Sequence, residues 1–293
     1  MTPAPAALTP WERAVGGALR LWPFLSGLGK LASSAPARRL VPPSPRVVWA
    51  PVRAARCAAP LDDLVGRAIA LAGDLDPKVT WAVDRLAAPG DTVLDVGANL
   101  GLVSLLAAQR VGPKGRVLAF EPSPVVLPHL RATLAANPAL PIRLHEVALG
   151  EEPGTLALRV PEGNAGGGSL VAHPDLAGHA VPVRPLADVL SEEGVADVAL
   201  MKLDVEGYEA PVLRGLLRPG APRPRAVLFE ENGATASPVA ALLRAEGYRL
   251  WGLPRALLRL MPVPDGAPGF ARCNDIVALR ADRPDLPPRL GLT

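Results

Sequence analysis

Short apolar segments rich in β-branched residues alternate, from residue 92 onward, with longer segments whose apolar residues recur at helical spacing. This alternation predicts repeated strand-helix-strand units, and hence a mostly parallel sheet with helices on both faces. The predicted strands are residues 92–96, 115–120, 142–147, 198–204, 226–231, 248–251 and 275–280. The predicted helices between them are residues 100–110, 125–137, 186–193, 208–217 and 238–246.

Two stretches depart from this alternation. Apolar positions recur at helical spacing over residues 61–71 and again over residues 79–86, which predicts helical structure that Pro89 and Gly90 end. Residues 154–184 contain two candidate strands, 156–160 and 180–184, around a glycine-rich loop at 162–170. Three consecutive glycines in that loop permit either a mobile lid or a tight turn.

The first sixty residues have a different character. Residues 11–31 form an amphipathic segment, which we interpret as a helix packed on the main domain, with a helix at a membrane surface as the alternative. The apolar run 21–29 is too short to span a bilayer, and Pro23 argues against a secretion signal. Residues 33–60 are proline-rich and predict a linker or an irregular covering strand. We therefore expect a cytoplasmic protein with a helical and proline-rich segment at 1–60, an α/β domain at 61–280 and a tail at 281–293.

Composition narrows the functional classes. The 293 residues carry 31 Lys and Arg against 28 Asp and Glu, and 49% are hydrophobic, enough for one large core. The chain has no basic tract and only 5 Trp, 2 Tyr and 4 Phe, which argues against nucleic-acid binding. Cys57 and Cys273 lie far apart and match no zinc spacing, so we expect two buried reduced thiols and no metal site.

The most informative motif follows the strand at 92–96. Asp95, Gly97, Ala98, Asn99 and Gly101 form the pattern D-x-G-x-N-x-G, in which a strand runs into a glycine turn that opens a helix. Glycines there allow a sharp turn and the close approach of a ligand. A nicotinamide-binding loop would read G-x-G-x-x-G instead. The acid at the end of the strand can meet a cationic ligand.

A second acid follows the next strand. Glu121 lies at the carboxyl edge beside the glycine turn, where its carboxylate can accept both hydroxyls of a ribose. One ribose and one cation suit S-adenosylmethionine better than NAD. The residues therefore favour a site for S-adenosylmethionine, and a nicotinamide-dependent oxidoreductase or a non-catalytic cofactor-binding sensor stays as an alternative.

Five motifs resemble the FkbM family of S-adenosylmethionine-dependent methyltransferases. They are DVGANLG at 95–101, FEPSP at 120–124, EVALG at 146–150, GNAGGGSL at 163–170 and KLDVEGYE at 202–209. The resemblance covers about residues 61–280 and implies a Rossmann-like class I methyltransferase fold, with a mostly parallel seven-stranded sheet ordered 3-2-1-4-5-7-6. It also implies methyl transfer to a small-molecule or glycan acceptor, usually a hydroxyl on a sugar or natural product, although an N-methyl acceptor stays possible.

The resemblance also assigns roles to individual residues. It implies that the backbone from Gly97 to Gly101 cradles the methionine moiety, that Glu121 holds the ribose, and that the adenine lies near Pro122, Ser123 and Ala148. Asp204 and Glu206 are the candidates for the base that takes the proton of the acceptor. The alternative is that these two acids cap the following helix and occupy its first turn.

A few further residues carry weaker expectations. Lys202 lies on an apolar strand and should pair with an acid, because an unpaired buried lysine is costly. Glu209 is expected on the helix surface or in an internal pair. Glu230, Glu231 and Asn232 form a second oxygen-rich candidate site, while His173 and His179 are loop histidines that could reach the acceptor.

Overall fold

The computed structural model describes residues 5–161, 164–171, 178–231 and 237–292. Its strands are β1 Val47–Val52, β2 Ala55–Pro60, β3 Thr92–Val96, β4 Arg116–Phe120, β5 Ile142–His145, β6 Ala148–Leu149, β7 Gly154–Arg159, β8 Gly178–Arg184, β9 Leu200–Leu203, β10 Ala226–Glu230, β11 Tyr248–Leu253, β12 Val263–Pro264 and β13 Asp275–Arg280. Its α-helices are α1 Pro10–Leu19, α2 Leu28–Ala32, α3 Ala35–Leu40, α4 Leu64–Arg67, α5 Pro77–Leu86, α6 Leu102–Val111, α7 Leu127–Ala135, α8 Leu186–Glu192, α9 Glu209–Leu216, α10 Pro238–Ala245 and α11 Leu286–Arg289.

The central sheet has eight strands in the order β12-β11-β13-β10-β9-β3-β4-β5. Strands β3, β4, β5, β9 and β10 pair in parallel, while β13 is antiparallel to both β10 and β11. Without β12, this is the order 3-2-1-4-5-7-6, so the expected α/β fold is confirmed. The eighth strand, β12, has two residues, too few to show an alternating pattern in the sequence.

Successive side chains of a strand point to opposite faces of the sheet, and both faces of this sheet are covered by an apolar core. In β3, Val93 belongs to one apolar core and Leu94 to the other. The first core also contains residues of α5 and α6, and the second contains residues of α8, α9 and α10. Continuous apolar strands are therefore required here, which explains why they were readable in the sequence.

The N-terminal segment is more regular than expected. Residues 33–60 form α3 and the antiparallel hairpin β1–β2, in which Val52 pairs with Ala55 across a two-residue turn. Arg53 in that turn has a φ of 54°, a conformation that the sequence does not announce with a glycine. Val48 and Cys57 are fully buried in the same apolar core as Val93 of β3, and the hairpin packs against α6 and α7. The boundary at residue 60 stays a prediction.

Two other segments refine the expectations. The helical spacing at residues 61–71 and 79–86 corresponds to two helices: α4 continues as a π-helical turn, Ala68–Ala72, which ends at Gly73 with a φ of 80°, and α5 follows. The side chain of Asp76 then caps α5.

The candidate strands at 156–160 and 180–184 are confirmed as the antiparallel pair β7–β8, which forms a separate three-stranded sheet with β6. Among the described residues, no helix is both long and apolar enough to cross a membrane.

Helix α1 packs on the rest of the fold through Val15, which contacts Leu71 and Val41. Trp22 and Phe24 follow this helix, and their rings stand 5.1 Å apart. This short segment is tied to the loop after β11, because the Leu25 N–H donates to the carbonyl oxygen of Ala256 at 2.8 Å. The amphipathic segment is therefore a helix followed by an irregular strip, and that strip reaches the carboxyl edge of the sheet.

Candidate active site

A cavity of about 930 Å³ opens at the carboxyl ends of the parallel strands. Ligand pockets have this size, and parallel α/β sheets bind ligands at this edge. Asp95 and Gly101 do not line this cavity, but the other predicted site residues do. The residues that line it are Gly97, Ala98, Asn99, Glu121, Pro122, Ser123, Ala148, Asp204 and Glu206. The lining also includes Trp22, Phe24 and Lys30 from the N-terminal segment and Leu170 from the glycine-rich loop.

The turn after β3 requires glycine. Gly97 has a φ of 79°, and a Cβ atom at this position would lie 1.9 Å from the carbonyl oxygen of Asp204. Gly101, with a φ of 91°, begins α6 and lies close to Leu130. The backbone of residues 97–99 therefore lines the cavity, and a side chain at Gly97 would collide with the carbonyl oxygen of Asp204.

Glu121 ties two strand ends together. Its two carboxylate oxygens accept hydrogen bonds of 2.8 Å from the backbone N–H groups of Asn99 and Ser123. These bonds fix the carboxylate, and each oxygen keeps a second lone pair for a ligand hydroxyl. Burial raises the pKa of Glu121 above its ordinary value. This geometry is suited to a diol.

Three buried polar atoms around this turn have no hydrogen-bond partner among the residues that the structure describes. They are Asp95 Oδ1, Asn99 Oδ1 and Ser123 Oγ. Buried polar groups are nearly always hydrogen-bonded, so atoms of this kind can accept a hydrogen bond from a ligand or from water. Asn99 and Ser123 also line the cavity. The wall around Glu121 therefore offers polar atoms that can bind a ligand.

Lys202 is the charged centre of the site. Its Nζ donates to the carbonyl oxygen of Gly97 at 2.8 Å and lies 3.4 Å from Asp204 Oδ2 and 3.8 Å from Asp95 Oδ1. Burial acts to lower the pKa of Lys202, but the nearby carboxylates of Asp204 and Asp95 outweigh it and raise the pKa. The predicted pairing of Lys202 with an acid is confirmed.

Asp95 lies behind the cavity wall. Its side chain is fully buried, and the Ser104 hydroxyl donates to its Oδ2 at 2.5 Å. Burial raises the pKa of Asp95. In this position the Asp95 carboxylate helps to keep Lys202 charged. A direct contact between Asp95 and a cofactor stays a prediction.

The turn after β9 presents two acids to the cavity. Asp204 directly follows β9, and Glu206 has a φ of 52°, which is uncommon for a residue other than glycine. Burial and then the negative charges of Asp204 and Glu209 raise the pKa of Glu206. Both side chains line the same cavity.

The helix-cap alternative for these two acids is wrong. The N-cap of α9 is Tyr208, with no side-chain cap bond, and the buried carboxylate of Glu209 accepts from the N–H groups of Val205 and Gly207 at 3.0 and 3.1 Å. Glu209 therefore stabilises this turn from inside the fold as an internal pairing, and neither Asp204 nor Glu206 caps α9.

The secondary candidates are divided. Glu230 lines the cavity, whereas Glu231 and the exposed His179 do not. His173, Asn232, Glu162 and Gly163 lie outside the described residues. Both cysteines are free and buried, as expected. Within the described ranges, no group of three or more His, Cys, Asp or Glu residues could hold a metal ion, and the absence of a metal requirement stays a prediction.

Some residues of the site gave no signal in the sequence. Lys78 pairs closely with Asp275, 197 residues further on, at the edge of the cavity. Trp22 and Phe24 occur in the segment with no recognisable motif. Only the folded chain brings these residues to the site, because no local spacing relates them to the strands.

The strand order, the glycine turn after β3 and the acid after β4 together define a class I methyltransferase fold. Residues 95–250 match the methyltransferase FkbM domain, and the chain belongs to this family of methyltransferases. The oxidoreductase alternative is therefore set aside.

Two curated relatives have similar sequences. The "31-O-demethyl-FK506 methyltransferase FkbM" of Streptomyces tacrolimicus is 31% identical over 195 residues, which are 55% of this chain and 73% of the relative. The "Methyltransferase sdnD" of Sordaria araneosa is 31% identical over 189 residues, which are 53% of this chain and 73% of the relative. Among solved structures, a SAM-dependent O-methyltransferase from Thermotoga maritima has a TM-score of 0.40 and 14% identity, over 71% of this chain and 66% of that chain.

Proposed function

We propose that this methyltransferase uses S-adenosylmethionine to methylate a hydroxyl group on a small molecule, a sugar, a glycan or a secondary metabolite. The observation that carries the proposal is the continuity of the cavity, which joins the Glu121 end to the Asp204 end. A cofactor and an acceptor can therefore meet within one cavity. The printed name of the Streptomyces relative, a methyltransferase of a demethylated natural product, supports an oxygen acceptor.

The cofactor half of the cavity fits S-adenosylmethionine. Glu121 would accept the ribose hydroxyls, and the backbone of residues 97–99 would hold the methionine moiety. Ser123, Pro122 and Ala148 would border the adenine, and the partnerless Ser123 hydroxyl would gain a hydrogen bond there. When bound, the cofactor supplies a methyl group on a positively charged sulfur.

Asp204 and Glu206 form the acceptor half. Asp204 is held by Lys202 and would accept a hydrogen bond from the acceptor hydroxyl, so that the oxygen is oriented for in-line attack. Glu206 adds negative charge to the same part of the cavity, which favours the approach of a cationic methyl donor. Trp22 and Phe24 provide an apolar wall for the body of a small-molecule acceptor.

Calorimetric titration with S-adenosylmethionine and with NAD tests the cofactor. We expect micromolar binding of S-adenosylmethionine and none of NAD, and the opposite result would overturn the proposal. Methyl transfer is then followed with labelled cofactor and three alcohols: 31-O-demethyl-FK506, methyl α-L-rhamnopyranoside and methyl α-D-glucopyranoside. Cofactor binding without transfer to any of the three would favour a non-catalytic sensor.

A further inference from the structure

Three carboxylates stand side by side at the ends of neighbouring strands. Leu203 of β9 pairs with Phe229 of β10, so the next residues, Asp204 and Glu230, occupy equivalent positions. Glu230 in turn pairs directly with Asp275 of β13. Because neighbouring strands lie about 4.8 Å apart, the three acids form a row across the carboxyl edge of the sheet.

The cations that compensate this row are at its two sides. Lys202 lies 3.4 Å from Asp204, and Lys78 of α5 pairs closely with Asp275. Glu230, in the middle, has no ion pair and no side-chain hydrogen bond among the described residues, although it lines the cavity. Glu230 is therefore the acid in this row whose carboxylate is available to a ligand.

The surroundings of Glu230 favour its protonated form. Partial desolvation at the cavity wall, followed by the negative charges of Asp204, Asp275, Glu206 and Asp76, raises the pKa of Glu230 to about 7. The other charged residues of the cavity wall are Lys30, Asp74, Lys78, Lys202, Arg255, Arg272 and Glu121. A general base works best when its pKa is near the working pH, because it is then both ionised and strong enough to take a proton.

We propose that Glu230 is the general base that takes the proton from the acceptor hydroxyl, while Asp204 orients that hydroxyl. This assignment rests on the proposed function and adds a third carboxylate to it. The acceptor oxygen forms a bond to the methyl carbon as the bond from that carbon to the donor sulfur breaks. The sulfur keeps the electron pair, the hydroxyl proton passes to Glu230, and the protonated Glu230 then releases it to solvent.

The activity test compares Glu230→Gln with the matched control Glu231→Gln, which alters the next residue, outside the cavity wall. With the three alcohols named above, Glu230→Gln should lower kcat about 100-fold or more, since a positioned base contributes that much. Its affinity for S-adenosylmethionine should stay within about twofold of wild type, and Glu231→Gln should behave as wild type. Glu230→Asp should recover part of the lost rate, because it restores a carboxylate.

The pH profile separates a base from a merely structural residue. The kcat of the wild type should rise with pH to a plateau above about 7, and Glu230→Gln should lose this rise. An active wild type whose Glu230→Gln variant keeps its kcat within about threefold would overturn the role of Glu230 and leave the proposed function intact. A wild type that binds no S-adenosylmethionine would instead remove the proposed function.

A second readout needs no acceptor. Carbon NMR of protein labelled at the glutamate Cδ, in the presence of S-adenosylhomocysteine, follows each carboxyl through a pH titration. We expect one signal that titrates near 7, disappears in Glu230→Gln and persists in Glu231→Gln. If the signal lost in Glu230→Gln titrates at the ordinary glutamate pKa of 4.5, the assignment of Glu230 as the base is overturned.

Discussion

The ammonium group of Lys202 donates a 2.8 Å hydrogen bond to the carbonyl oxygen of Gly97. This bond joins the end of β9 to the glycine turn after β3, the two places where the motifs of the sequence are densest. It also holds a positive charge between Asp95 and Asp204. Lys202 therefore links the two motifs by a hydrogen bond and by ion pairs, and replacing it should affect both stability and cofactor binding.

Replacing Lys202 with methionine should lower the free energy of unfolding by about 3 kcal/mol, because it leaves the buried Asp95 without a nearby cation. Urea unfolding measures the loss. The control is Lys114→Met at an exposed position, which should change stability by less than about 0.5 kcal/mol. Equal effects of the two substitutions would contradict the role given to Lys202.

Replacing Glu121 with glutamine should weaken binding of S-adenosylhomocysteine about 10-fold to 100-fold. The amide nitrogen of glutamine cannot accept a hydrogen bond, so the N–H of either Asn99 or Ser123 loses its partner, and the ribose loses a charged acceptor. Calorimetry measures the affinity. Glu146→Gln breaks only an exposed ion pair with Arg131 and serves as the control. If Glu121→Gln binds S-adenosylhomocysteine as tightly as the wild type, Glu121 does not bind the ribose.

The sequence predicted the parts of the site that depend on local geometry. A glycine turn after an apolar strand and an acid after the next strand must lie together in a parallel sheet, so Gly97, Asn99 and Glu121 could be placed without coordinates. The cost of burying an unpaired lysine in an apolar strand likewise predicted that Lys202 pairs with an acid.

The sequence could not predict relationships that only long-range packing creates. The register between β9, β10 and β13 brings Asp204, Glu230 and Asp275 into one row, and no local pattern specifies that register. The aromatic wall at Trp22 depends on how the N-terminal segment crosses the edge of the sheet. The role of Glu209 was visible only once its carboxylate was seen to bond the turn that precedes it.

Two glycines offer a matched test of the cofactor turn. Gly97 and Gly90 both have positive φ angles, 79° and 89°, but only at Gly97 would a Cβ atom collide with backbone, at 1.9 Å from the Asp204 carbonyl oxygen. Gly90→Ala should cost about 1 to 2 kcal/mol from its φ angle alone. Gly97→Ala should cost more than this and should abolish binding of S-adenosylhomocysteine. Similar unfolding energies for the two variants would show that the close approach at Gly97 is unimportant.

Glu230 should also give stability a characteristic dependence on pH. Its pKa of about 7 in the folded protein exceeds the ordinary glutamate value of 4.5, so the folded state holds a proton that the unfolded state releases between these two values. The free energy of unfolding contributed by this group therefore falls as pH rises from about 4.5 to about 7, and it is constant outside that window.

Glu230→Gln removes this dependence because glutamine does not titrate. We expect the variant to match the wild type near pH 4.5 and to be more stable above pH 7, by about 1 kcal/mol once solvent screening of this exposed side chain is considered. Urea unfolding at pH 4.5, 6 and 8 measures the difference, with Glu231→Gln as the control. A difference that stays constant across the three pH values would mean that Glu230 is ionised throughout, which contradicts its position beside Asp204 and Asp275.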